Sequence, residues 1–105
     1  MEYGQDDEVL DEAPAGIPHR RLLIVNKKGL HARASAKFVQ TVDRFDANVT
    51  VTRAGETVGG RSIMGLLTLG AAKGTTILVT AEGHDAEASL AAIEELVATR
   101  FGEEE

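Results

Sequence analysis

The chain is predicted to be an α+β domain: an open-faced β-sandwich, with a four-stranded, largely antiparallel sheet and three helices on one face. Three observations predict it. Short β-favouring apolar runs alternate with segments of helical spacing, in the order β-α-β-β-α-β-α. Four short strands with helices between them are satisfied by one sheet that buries one face under the helices. The length of 105 residues allows one domain with a single modest core and leaves no room for a second.

The elements follow in order. Arg20-Arg21-Leu22-Leu23-Ile24-Val25 is a β-favouring run stopped by Asn26-Lys27-Lys28-Gly29. Residues 31–45 carry Ala32, Ala36, Val39 and Val42 at helical spacing, a stripe widened by Ala34, Phe38 and Phe45. Arg33, Lys37, Gln40 and Arg44 lie elsewhere around that helix. Residues 48–53 alternate with period two, as a half-buried strand should. Ala54-Gly55-Glu56 turns the chain, and Thr57-Val58-Gly59 returns to complete a hairpin. Ser62 to Leu69 is a short apolar helix with Ser62 as its N-cap, closed by Gly70-Ala71-Ala72-Lys73-Gly74. Thr75 to Thr80 forms the fourth strand. The last helix spans roughly 85–101, with Asp85 as N-cap and a buried stripe of Ala86, Leu90, Ile93 and Val97. Leu96 and Phe101 flank the stripe, and Gly102 ends the helix.

Composition narrows the function. Aromatic residues are 4% of the chain, so the core is aliphatic and deep aromatic-lined cofactor pockets are not expected. No cysteine is present, which excludes disulfides, thiolate metal sites and thiol catalysis and fits a reducing cytoplasm. The N-terminus does not read as a signal peptide, and no apolar run approaches the ~20 residues that span a bilayer. The formal net charge is −6, but it is unevenly spread. Residues 1–18 hold six acids and no Lys or Arg, and residues 103–105 are all Glu. Between them, eight acids and eleven bases leave residues 19–102 at +3. The acidic ends disfavour nucleic-acid binding, while the mildly basic body suits an anionic partner. Residues 1–18 read as a flexible acidic extension, residues 19–102 as the folded domain and residues 103–105 as an acidic tail.

One segment carries chemistry. Gly29-Leu30-His31-Ala32-Arg33 lies where the first strand turns into the first helix. A helix start exposes unpaired backbone N–H groups and a partial positive charge, which together make an anion site. Gly29 allows a tight turn and keeps bulk away from the imidazole. His31 brings a nucleophilic nitrogen that is partly neutral near pH 7. The Arg33 guanidinium matches phosphate oxygens geometrically. A phosphohistidine needs these parts, although a histidine at a helix start also serves as a plain cap.

The run Gly29 to Arg33, followed by the small residues Ala34-Ser35-Ala36, resembles the active-site segment of HPr. HPr is the histidine-containing phosphocarrier of the phosphoenolpyruvate-dependent phosphotransferase system. Arg61-Ser62-Ile63-Met64-Gly65-Leu66-Leu67-Thr68-Leu69-Gly70 resembles that family's regulatory-serine region, and His31 and Ser62 stand 31 positions apart, as in the family. The resemblance covers about residues 20–101 and implies a β-α-β-β-α-β-α phosphocarrier domain. It implies that His31 accepts a phosphoryl group on Nδ1 from Enzyme I and passes it to a downstream Enzyme IIA-type acceptor, with Arg33 holding the group. It makes Ser62 the target of HPr kinase/phosphorylase, and Ile63, Met64 and Leu67 an apolar docking patch. The implied protein is a cytoplasmic monomer that carries the group rather than catalysing alone, with no cofactor, nucleic acid or membrane insertion. Many family members have proline after the arginine where this chain has Ala34, and proline pre-sets a first helical turn. The alanine-rich sequence and the Ser-Ile-Met-Gly and Ala-Ala-Lys-Gly runs resemble the nitrogen-related (NPr) branch.

Other readings compete. A regulatory protein whose phosphorylation state controls target binding would use the same patch, and Ser62 is also a good plain N-cap. A small ligand-binding module lacks a recognisable motif. His19 reads as an exposed residue at the edge of the tail, and His84 has no second ligand at metal spacing.

Overall fold

The computed structural model describes residues 10–105. The strands are β1 (His19–Leu23), β2 (Asn48–Arg53), β3 (Glu56–Gly59) and β4 (Thr76–Glu82). The helices are α1 (Ala32–Val42), α2 (Ile63–Thr68) and α3 (Ala86–Ala98). They occur in the expected β-α-β-β-α-β-α order, followed by a 3-10 turn over Arg100–Gly102. The sheet order is β1-β4-β2-β3 and every pairing is antiparallel.

Alternation along the strands decides which face is buried. Leu22, Val49, Val51, Ile77, Val79 and Ala81 point into one core with Phe38, Leu66, Leu90, Ile93 and Val97 from the helices. The other face carries Arg21, Leu78, Thr52 and Thr57 in one cross-strand row. Asp11 reaches that row from the N-terminal side. Its carbonyl accepts a bond from Arg21 at 2.8 Å, and its carboxylate accepts from the Gly55 amide at 2.8 Å.

Several boundaries differ from those read in the sequence. His19 belongs to β1, half-buried, and its ring meets the Ile17 carbonyl. The buried stripe of α1 is Ala34, Ser35, Phe38, Thr41 and Val42, whereas Ala32 is exposed. Phe38 is the largest of these groups and dominates the orientation. Ser35 tolerates burial because its hydroxyl donates to the Leu30 carbonyl at 3.2 Å. Asp85 precedes α3 but makes no side-chain cap bond, because its carboxylate accepts from the Asp46 amide at 2.8 Å instead. Helix α3 stops at Ala98, so Phe101 lies beyond it.

Arg61 ties two helices together. Its guanidinium donates to the carbonyls of Val42, Phe45 and Ala47 and pairs with Asp43. Those acceptors sit at and just past the C-terminal end of α1, where unpaired carbonyls favour a cation. The start of α2 is thereby held against the end of α1.

Candidate functional site

His31 is the N-cap of α1, with extended backbone angles of φ −74 and ψ −178. Its Nδ1 accepts a bond from the Arg33 amide at 3.3 Å. The loop before it is set by Gly29, at φ +65. A Cβ at Gly29 would collide with the Ala71 carbonyl and lie 2.9 Å from Ala72 Cα. That carbonyl is also the acceptor of the Leu30 amide at 2.9 Å, so the clash falls on the contact that seats the loop. Gly29→Ala combines a left-handed backbone with backbone overpacking, and is expected to cost about 2–4 kcal/mol in chemical denaturation. A loss below ~1 kcal/mol would show that the loop moves freely.

The second ring nitrogen is also engaged. His31 Nε2 lies 2.5 Å from Glu103 Oε2, with the two side chains 26% and 16% exposed. The other oxygen of that carboxylate accepts from Asn26 Nδ2 at 3.0 Å. Asn26 is buried and donates its second amide hydrogen to the Gly29 carbonyl at 2.9 Å. Burial raises the Glu103 pKa, but hydrogen bonds from Asn26 and His31 and the nearby Lys28 charge outweigh it. The carboxyl is held below its ordinary value. Glu103 therefore stays ionised at neutral pH. Its contribution to stability is present above the ordinary carboxylate range and is lost as pH falls through the depressed value.

A hook in the backbone delivers Glu103. Arg100, Phe101 and Gly102 all have positive φ, at 59, 55 and 77. Two consecutive non-glycine residues in this region cost roughly 1–2 kcal/mol each. Burial of the Phe101 ring, 1% exposed, recovers about 1.5–3 kcal/mol. Lys37 Nζ adds a bond to the Phe101 carbonyl at 2.7 Å. Beyond the hook, Lys27 holds Glu105 through its backbone amide at 2.9 Å and its ammonium at 3.3 Å.

Lys27, Lys28, His31, Arg33, Glu103, Glu104 and Glu105 line one open hollow. The Arg33 side chain is exposed and, among the described residues, makes no hydrogen bond or ion pair. A neighbouring hollow joins His31 to Leu67. Ser62 is exposed and caps α2, its Oγ accepting from the Gly65 amide at 2.9 Å. Ile63 and Met64 are 39% and 71% exposed on the same helix. Among the described residues His84 pairs only with its neighbour Asp85, at 3.9 Å, and no metal-binding cluster occurs. Glu103 and Asn26 were missed in the sequence. The available signal was a glutamate run against the lysines of the 26–29 loop, opposite charges that only the hook brings together.

The family model described as the PTS HPr component phosphorylation site matches residues 18–99. The chain belongs to the HPr family. The phosphocarrier protein HPr of Neisseria meningitidis is 49% identical over 82 residues, covering 78% of this chain and 92% of that protein. The HPr of Xylella fastidiosa is 45% identical over 83 residues, covering 79% and 93%. A crystal structure of HPr from Thermoanaerobacter tengcongensis superposes with a TM-score of 0.80 at 39% identity, covering 84% of this chain and 99% of that one. The four-stranded antiparallel sheet with three helices is the HPr fold, and the chain is a phosphocarrier of the phosphotransferase system.

Proposed function

We propose that His31 Nδ1 accepts a phosphoryl group from Enzyme I, ultimately from phosphoenolpyruvate, and passes it to a downstream Enzyme IIA-type acceptor. The observation that carries this reading is the imidazole at the start of α1, with Nδ1 held 3.3 Å from a helix amide. The lone pair of Nδ1 attacks phosphorus, the bond from phosphorus to the donor breaks, and its electron pair leaves with the donor. The phosphoryl oxygens then take over the Arg33 amide that Nδ1 had engaged, at the positive end of the helix dipole. Arg33, whose guanidinium is exposed and has no partner among the described residues, closes on the same oxygens. The protein supplies position and charge and acts as a carrier, not as a stand-alone catalyst. Incubation with Enzyme I and phosphoenolpyruvate is expected to add one acid-labile phosphoryl group by intact mass. An acid-stable adduct, or none, would count against the reading.

Ser62 is the proposed regulatory position, modified by HPr kinase/phosphorylase. Its hydroxyl is exposed next to Ile63 and Met64, so a phosphate there would place a dianion beside the apolar patch and oppose docking. Ile63, Met64 and Leu67 form the proposed docking surface for both Enzyme I and the downstream acceptor. Ser62→Ala is expected to abolish ATP-dependent labelling by that kinase and to leave His31 uptake intact. The lost cap costs about 1 kcal/mol, which a melting curve reads separately. Persistent labelling would place the site elsewhere. The proposed setting is a monomer in the cytoplasm. The absence of cysteine fits it, and no helix among the described residues is long and apolar enough to cross a membrane.

A further inference from the structure

We infer that Glu103 is a positioning residue that holds the His31 proton on Nε2 throughout the phosphoryl cycle, leaving Nδ1 unprotonated as the nucleophile. This inference rests on the phosphocarrier reading of His31 and adds a residue to it. Two observations fix the ring's state independently. Nδ1 faces a backbone N–H, the Arg33 amide, and so must accept. Nε2 faces a carboxylate oxygen and so must donate. Both contacts select the same neutral tautomer, with hydrogen on Nε2 and the lone pair on Nδ1.

Asn26 explains why the residue is a carboxylate. Its amide group faces two acceptors, the Gly29 carbonyl and Glu103 Oε1, and spends both hydrogens on them. Glu103 therefore stands between two donors, Asn26 Nδ2 and His31 Nε2. Each donor meets a different oxygen, and a carboxylate supplies an acceptor at both positions. A glutamine would turn its oxygen to one donor and its N–H₂ to the other. With the oxygen held by Asn26, the amide hydrogen would point at Nε2 and drive the ring proton to Nδ1, where it blocks attack.

The same contact matters after transfer. When Nδ1 bonds to phosphorus while Nε2 keeps its hydrogen, the ring gains a positive charge, which the Glu103 carboxylate faces. When the phosphoryl group is handed on, the nitrogen–phosphorus bond breaks and its electron pair returns to Nδ1. The leaving group is then a neutral imidazole, because the Nε2 proton never left. No other proton donor or acceptor is required. The other charged groups around the ring are Lys27, Lys28, Arg33, Glu104 and Glu105. Lys27 is paired with Glu105.

The test uses the full chain labelled with ¹⁵N in histidine. Ring nitrogen shifts of His31 report the tautomer without any phosphoryl donor, so they decide this inference even if Enzyme I fails to act. The unmodified protein is expected to show the Nε2–H form. Glu103→Gln is expected to move the neutral ring toward the Nδ1–H form and to slow phosphoryl uptake at least about tenfold, the scale of lost histidine-orienting partners. Glu103→Ala removes the acceptor without presenting a donor, so it is expected to give mixed tautomers and a smaller loss. If both variants keep the Nε2–H form, the inference is overturned, whatever happens to the rate. Uptake that fails in every protein while the tautomer shifts as expected would overturn the phosphocarrier reading alone.

Discussion

His31→Asn is expected to abolish phosphoryl uptake from Enzyme I while leaving the fold intact. Asparagine is among the best N-cap residues, so the start of α1 keeps a side-chain acceptor for the amide that Nδ1 now meets at 3.3 Å. The ring is half-buried at the rim of an open hollow and takes no part in the core, so its removal leaves no cavity. What disappears is the proposed nucleophile, Nδ1, and with it the transfer step proposed for Enzyme I. Loss of the bond to Glu103 leaves that carboxylate still held by Asn26, a modest structural change. The expected pattern is a melting temperature within a few degrees of the unmodified protein and no added mass. Undiminished labelling of His31→Asn would move the acceptor to another residue.

Phe101→Ala is expected to have the largest effect on stability, about 3–5 kcal/mol, as for large aromatic truncations in a core. Its ring is 1% exposed and belongs to the core cluster. The same ring holds Arg100 and Phe101 in left-handed backbone conformations that neither residue favours. With the ring gone, the largest contribution that offsets that cost is lost, and the hook relaxes. The melting temperature should fall by more than ~10 °C at this chain length. Glu103 should leave His31 at temperatures where the sheet is still formed, visible as a change in the His31 ring shifts. A fall of only a few degrees would mean that the hook is held by other contacts, with Lys37 to the Phe101 carbonyl the first to examine.

These two residues also mark what could be read in the sequence. The segment from Gly29 to Arg33 was legible because its instructions are local: a glycine that turns, a cap, a helix that follows. The sheet was legible for a related reason, since period two in residues 48–53 survives as β2 with unchanged bounds. Ser62 was legible as a cap because its partner, Gly65, is three residues away. Asp85 was misread as a cap because its partner, Asp46, is 39 positions away. The hook was misread as helix because Arg100 and Phe101 have no intrinsic preference for positive φ. Their conformation comes from burying one ring in a core assembled by distant segments. Glu103 was hidden for the same reason, since its bond to His31 spans 72 positions and exists only after the hook has formed. The α1 stripe read from the sequence includes the buried Ala34, Phe38 and Val42 but also counts the exposed Ala32 and omits Ser35 and Thr41, because counting apolar positions gives alanine and phenylalanine equal weight, whereas burial follows volume.

The most direct test of the account is the nitrogen to which phosphorus becomes attached. The chain, labelled with ¹⁵N in histidine and phosphorylated by Enzyme I and phosphoenolpyruvate, is examined by phosphorus and nitrogen resonance under neutral conditions. One phosphoryl group is expected, coupled to His31 Nδ1, with Nε2 still carrying its hydrogen. A phosphoryl group on Nε2, or on His19, His84 or a hydroxyl, would contradict it.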